Sequence, residues 1–176
     1  MDYELIRTKR KTIGIQVKEG NLIIRAPYFV SKEEIETILY KHKNWIHKQL
    51  EGEKIQKEIS PLTKDEIQKL MEEAKNLIPQ RVAFYAEKMG VSYNRITVRK
   101  QKTRWGSCSS KGNLNFNCLL MLTPKEVIDS VVVHELCHLK EMNHSKKFYK
   151  EVLKVYPDYW KWNHWLKENE KYLIYR

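Results

Sequence analysis

Apolar and polar side chains alternate over residues 4–28, with Ile13, Ile15 and Val17 two apart, and likewise Leu22 and Ile24. A period of two predicts two strands, and Gly20-Asn21 between them predicts a tight turn, so a β-hairpin is expected. One more strand is expected over residues 3–9, and Pro27 ends the run. The period then lengthens. Ser31-Lys32-Glu33-Glu34 has the form of a capping box, and Ile35, Ile38, Leu39, Trp45, Ile46 and Leu50 follow at helical spacing. This predicts a helix to about residue 50. Residues 51–61 are charged and end in Ser60-Pro61, which reads as a linker. Thr63-Lys64-Asp65-Glu66 is a second capping box. It opens a helix through Ile67, Leu70, Met71, Ala74, Leu77 and Ile78 to Met89, with a kink or break expected at Pro79.

Past Gly90 the pattern shortens again. Residues 95–100 read as a strand, and residues 103–109 and 113–119 as two more, joined at Ser110-Lys111-Gly112. Thr123-Pro124-Lys125-Glu126 reads as a third capping box, with proline at the first helical position. The helix it starts carries Val127, Ile128, Val131, Val132, Val133, Leu136 and Leu139, apolar on nearly all sides, and should be deeply buried. A short helix is expected from Ser145, and beyond Pro157 an aromatic-rich one with Tyr159, Trp160, Trp162 and Trp165. The expected class is α+β. A β-hairpin region with a helix fills residues 1–60, and a second region, residues 61–176, has a small antiparallel sheet and the buried helix, the two packed as one unit.

The buried helix carries chemistry. His134-Glu135-Leu136-Cys137-His138 is an HExxH motif. Four residues advance a helix by about 400°, so both imidazoles project from one face, one turn apart. Two neutral nitrogen donors so placed can bind one zinc ion. Glu135 lies beside that face, positioned to take a proton from a water that the metal activates. A histidine pair buried among valines with no metal would be costly to desolvate.

A third ligand is needed, and two residues compete. Glu141 follows His134 by seven positions on the same face. Three ligands on one straight helix would spread over about 10 Å of axis, against zinc–ligand distances near 2 Å. His144 is the better choice if the helix ends near Glu141 and Met142-Asn143 turns the chain back, with Ser145 capping the next helix. Glu141 and Asn143 then become supporting residues around the metal. His164 is a weaker ligand candidate whose expected place is the surface of the last helix. Three protein ligands with an open position is the catalytic zinc pattern, one ion per chain. Cys137 is rotated about 100° from His138 and should point into the core.

Composition narrows the setting. The three cysteines, Cys108, Cys118 and Cys137, form no CxxC pair, which argues against a disulfide framework and for a reducing compartment. No apolar run is long enough to span a bilayer and the first residues lack a signal pattern, so a cytoplasmic protein without a membrane partner is expected. The net charge is +11. It is uneven: between Glu87 and Glu126 there is no acidic residue, while Lys88, Arg95, Arg99, Lys100, Lys102, Arg104, Lys111 and Lys125 all fall there. That basic stretch, residues 88–125, is either a solvated face or an electropositive wall leading into the metal helix, suited to a nucleotide or nucleic acid.

Taken together, several stretches resemble one family. Arg104-Trp105-Gly106-Ser107-Cys108, Asn113 to Asn117, His134 to Leu139, and Asn143-His144-Ser145 with Phe148 resemble the YgjP-like metal-dependent hydrolases, relatives of the SprT and WLM metallopeptidases. The opening from Arg10-Lys11-Thr12-Ile13 through Arg25-Ala26-Pro27, and Trp45-Ile46, is similar to that family's usual opening, so the resemblance covers nearly the whole chain. It implies a zincin-type core with zinc on His134, His138 and His144 and Glu135 as the catalytic base. The function expected is a zinc-dependent metallopeptidase acting on peptide or protein, with Arg104, Trp105, Asn143 and Glu141 near metal or substrate. The alternatives are a nucleotide phosphoanhydride hydrolase of the pyrophosphatase type and a nucleic-acid-associated protease. Against the nucleotide reading, the chain has neither a glycine-rich phosphate loop nor a carboxylate cluster for magnesium.

Overall fold

The structure, a computed structural model, describes residues 2–176 (for 56–58, the backbone only). The chain is α+β. It divides into two compact units: residues to Ser60 together with Tyr175, and Pro61–Ile174 together with Arg176.

In the first unit β1 (Glu4–Thr8), β2 (Gly14–Lys18) and β3 (Asn21–Pro27) form a sheet in the order β1-β3-β2. β3 is central, antiparallel to β2 and parallel to β1. Its alternate residues Leu22, Ile24 and Ala26 are buried and pack with Ile35, Leu39 and Ile46. The turn falls one residue earlier than expected. Lys18 pairs with Asn21, and Glu19 (φ 55°) and Gly20 (φ 84°) make the corner. Two consecutive positive φ values are what a two-residue hairpin needs, and the buried face of β3 sets this register.

The Ser31–Glu34 capping box forms as read and starts α1 (Lys32–Lys41). The helix does not run unbroken to residue 50. It stops at His42, and α2 (Lys43–Glu58) follows. The charged stretch after residue 50 is therefore not a linker but helical to Glu58, because Glu, Lys and Gln are strong helix formers and charge alone breaks nothing.

The second unit begins with α3 (Lys64–Met89), opened by the Thr63–Glu66 capping box and closed at Gly90. The break expected at Pro79 does not occur: proline removes one hydrogen bond, while fully buried Ile78 and Val82 hold the helix to the core on either side. Three strands follow, β4 (Arg95–Arg99), β5 (Gly106–Cys108) and β6 (Asn113–Asn117), in the order β4-β6-β5. β5 and β6 are the expected antiparallel hairpin. β4 joins β6 in parallel, so the small sheet is mixed rather than wholly antiparallel. The cause is that residues 100–105 carry the chain from β4 past β6, which puts β6 in the middle and leaves β5 paired on one side only among the described residues.

A 3₁₀ turn (Cys118–Leu122) leads to α4 (Lys125–Cys137), then α5 (Lys146–Val155) and α6 (Tyr159–Ile174). The third capping box does not form. Thr123 Oγ1 donates to the Leu120 carbonyl at 2.7 Å, and Pro124 stands before the helix with extended backbone. α4 is buried as its apolar surface requires, packed by α3, α5, α6 and β5. No helix among the described residues is long and apolar enough to cross a membrane.

One buried ion pair ties α3 to α4. Arg81 grips Asp129 through two bonds, Nε–Oδ1 at 2.6 Å and Nη2–Oδ2 at 2.8 Å. Asp129 is 7% exposed. Arg81→Leu strands that carboxylate and should cost about 3–5 kcal/mol in urea unfolding. Arg81→Leu with Asp129→Leu should recover most of the loss. A double variant as unstable as the single one would mean the cost is packing, not unpaired charge.

Candidate metal centre

The site is built on the last two turns of α4. His134 and His138, one turn apart, place their ring centroids 5.0 Å apart. The regular helix ends at Cys137, earlier than expected, with His138 at its C-cap. The Leu139, Lys140 and Glu141 amides then bond back to the carbonyls of Leu136 and Cys137, which tightens the chain and starts its return. Asn143 contributes through its backbone: its carbonyl accepts the Ser145 N–H at 2.7 Å. The chain returns through Glu141 to Ser145 as expected, without a positive φ at Met142 or Asn143. Ser145 caps α5 as read, accepting the Phe148 N–H.

This path brings His144 to the helix pair. His144 Nε2 lies 2.9 Å from His134 Nε2, and its ring centroid is 4.7 Å from that of His138. One ligand atom from each of His134, His138 and His144 falls within 4.8 Å of the others, the one such cluster among the described residues. Phe148, fully buried, lies under all three rings, with centroids 4.6–4.9 Å away.

The donor chemistry fits a metal ion. A ligating histidine must be neutral. Burial, helped by the neighbouring His138 and His144, pulls His134 down to about 3. Burial lowers His138 as well. The Glu141 carboxylate is outside the cluster. It is the Glu141 main-chain carbonyl that faces His138, 3.2 Å from Nδ1, so the support expected of this residue comes from its backbone. His164 is exposed on α6 and pairs with Glu168 at 3.1 Å. Cys137 is fully buried, and burial pushes its thiol up to about 12.

Glu135 is 5% exposed beside the histidines. Burial pushes its carboxyl up to about 8, with the Arg104 guanidinium pulling the other way. β5 lies directly against it. A Cβ on Gly106 would stand 2.6 Å from Glu135 Oε1 and 2.7 Å from its Cγ, so the carboxylate can sit here only because residue 106 has no side chain. The loop before β5 is pinned by Asn117, wholly buried. Its amide donates to the carbonyls of Gln101 (2.9 Å) and Arg104 (3.0 Å), while its oxygen accepts from the Leu119 and Gln101 N–H groups.

Two cavities meet at Glu135. One, of about 310 Å³, is bounded by β5, Met142 and the three histidines. The other, of about 230 Å³, runs past Trp105, Val131, Tyr159, Asn163 and Leu166. His134, Glu135, Arg104 and Gly106 border both. Trp105 is half-buried, packed on the core with one edge on the second cavity. Of the basic stretch, Arg104 alone among the described residues lines either cavity; the other seven basic side chains are exposed outside both linings.

Four residues escaped the reading of the sequence in these roles: Gly106, Asn117, Phe148 and Tyr159. Tyr159 meets His134 Nδ1 with its hydroxyl at 2.8 Å. The first three lie in the motifs that carry the family resemblance, so the signal was present without its physical reason. Tyr159 had no local signal.

Comparison with known proteins adds to the geometry. No curated protein matches the chain. Among solved structures it is similar to the crystal structure of the metallopeptidase zymogen of Pyrococcus abyssi abylysin, with 22% identity, 53% of this chain and 96% of that one covered, and a TM-score of 0.48. It is also similar to that of Methanocaldococcus jannaschii jannalysin, with 20% identity, the same coverage of 53% and 96%, and a TM-score of 0.45. The sequence model of the YgjP-like metallopeptidase domain matches residues 11–70 and 62–169, nearly the full length and every element of the histidine site, and the chain belongs to the YgjP-like family.

Proposed function

We propose that this domain is a zinc peptidase in which His134, His138 and His144 hold one zinc ion and Glu135 is the general base. The observation that carries it is the convergence of three imidazoles beside a buried carboxylate, in a cleft edged by a strand with a free side. Zinc, when bound there, supplies Lewis acidity toward a water and a carbonyl oxygen. The protein does the rest. Glu135 takes a proton from the attacking water and can return it to the departing amine, so one carboxyl serves both halves of the reaction. Its low exposure keeps bulk water from competing for the carboxylate. The unpaired edge of β5 can take an extended peptide as an added strand, which lays the scissile bond over the cleft. Arg104, exposed at the rim of both cavities, is placed to meet negative charge on the substrate.

Nucleotide hydrolysis gains no support from the site, where Arg104 is the only cation on the cavity walls among the described residues. The test is metal analysis of the purified protein, with a peptide library, casein and nucleoside triphosphates assayed before and after chelation. Bound zinc and chelator-sensitive peptide cleavage are expected. Turnover of triphosphates alone would replace this reading with the phosphoanhydride one.

Gly106→Ala gives a sharper check. The added methyl must displace the Glu135 carboxylate. A misplacement of about 1 Å can lower a rate by about 10². A fall of that order in kcat with zinc content unchanged is expected; wild-type kcat would show that the Glu135 position is not critical.

A further inference from the structure

The two histidines of α4 are supported on their far sides by different chemistry. His138 Nδ1 faces the Glu141 carbonyl, which can only accept, so the proton sits on Nδ1 and the Nε2 lone pair is free for the cluster. His134 Nδ1 faces the Tyr159 hydroxyl at 2.8 Å, a group that can accept or donate. By itself this contact leaves the tautomer of His134 open.

Asn163 narrows it. One turn along α6, its Nδ2 donates to the same hydroxyl oxygen at 3.1 Å and so fixes where that oxygen sits. Tyr159 is 2% exposed, and a buried hydroxyl is tolerated only when it is paired. A ring that binds a metal through Nε2 carries its proton on Nδ1, and the phenol oxygen has a second lone pair to accept it while its own O–H turns to the cavity that Tyr159 borders. The opposite nitrogen, Nε2, is the one aimed at His144, 2.9 Å away. Tyr159 and Asn163 thus stand behind His134 as the Glu141 carbonyl stands behind His138. The ring of Tyr159 could be replaced by Phe without loss of packing, but the hydroxyl could not.

We propose that Tyr159, anchored by Asn163, is a positioning residue that holds His134 in its Nδ1–H form and fixes the orientation of its ring. This rests on reading the histidine cluster as the metal centre. An N–H donated to an outer partner sets the ligand's tautomer and raises its basicity, and loss of such partners typically weakens metal binding 10–100-fold.

The test measures affinity and spectrum rather than turnover. Zn²⁺ affinity is determined by competition with a chromophoric chelator, and the visible bands of the Co²⁺-loaded protein report ligand geometry. Wild type, Tyr159→Phe, Asn163→Ala and His134→Ala are compared. Tyr159→Phe should bind Zn²⁺ about 10–100-fold more weakly, with shifted Co²⁺ bands, while the metal-free protein keeps its wild-type melting temperature. Asn163→Ala should move both readouts the same way by less. It carries the test alone should Tyr159→Phe not fold. Affinity within twofold of wild type and unchanged Co²⁺ bands in the folded variants would overturn the inference. That result is distinct from failure of the metal centre itself, in which His134→Ala would bind as wild type does.

Discussion

Glu135→Gln is expected to lower kcat for peptide hydrolysis by about 10²–10⁴ while KM and zinc content stay at wild-type values. Gln keeps the shape and the hydrogen-bonding reach of Glu but cannot accept the proton. Among the described residues no other carboxylate lines either cavity to take its place. Wild-type kcat in the variant would remove Glu135 from the mechanism. The same pair also reports on burial in the metal-free protein. The Glu135 carboxyl is raised from its ordinary value of 4.5 to about 8 in the fold. Over that interval the folded state holds the Glu135 proton and the unfolded state does not, so the contribution of this carboxyl to the stability of the metal-free wild type falls as pH rises. Gln has no such term. The variant should therefore gain on the wild type from about pH 4.5 to pH 8 and hold a constant lead above that. His134, perturbed equally in both proteins, cancels in the difference. A stability gap that does not change with pH in urea titrations would show that the carboxyl is solvated in the metal-free state.

His144→Ala is expected to weaken Zn²⁺ binding by more than the 10–100-fold that loss of a supporting hydrogen bond costs, and to abolish peptide cleavage at limiting zinc. His144 is exposed, so the folded metal-free protein should change by no more than about 0.5 kcal/mol. The informative partner is Glu141→Ala. The Glu141 carboxylate is outside the cluster, and its main-chain carbonyl, which serves His138, survives the substitution. Zinc affinity near wild type is expected there. Calorimetry on the two variants separates the two residues that compete for the third position. Tight binding in His144→Ala with loss in Glu141→Ala would exchange their roles.

Much of this site depends on local rules that can be read along the chain. The spacing of His134 and His138 follows from helix pitch, and the caps at Ser31, Thr63 and Ser145 each rest on a serine or threonine bonding within its own first turn. Such features form wherever the chain is helical, and they appear as read. The cap expected at Thr123 shows the limit: the 3₁₀ turn sets its hydroxyl to donate to the Leu120 carbonyl, and Pro124 takes the position before the helix.

Other features required distant parts of the chain to meet. The parallel entry of β4 beside β6, the confinement of the basic stretch to a single cation at the cavities, and the backbone role of Glu141 all followed from chain path rather than composition. So did the contacts Gly106 to Glu135 and Tyr159 to His134, which join residues 29 and 25 positions apart. By itself the sequence determined the helix, the face on which His134 and His138 stand, and the carboxylate between them, because a helix repeats every 3.6 residues whatever surrounds it. The tertiary structure decided what closes around that face: His144 on a returning chain, Phe148 beneath, Gly106 against the carboxylate and Tyr159 behind the first histidine. Those neighbours are set by packing, which no local period encodes.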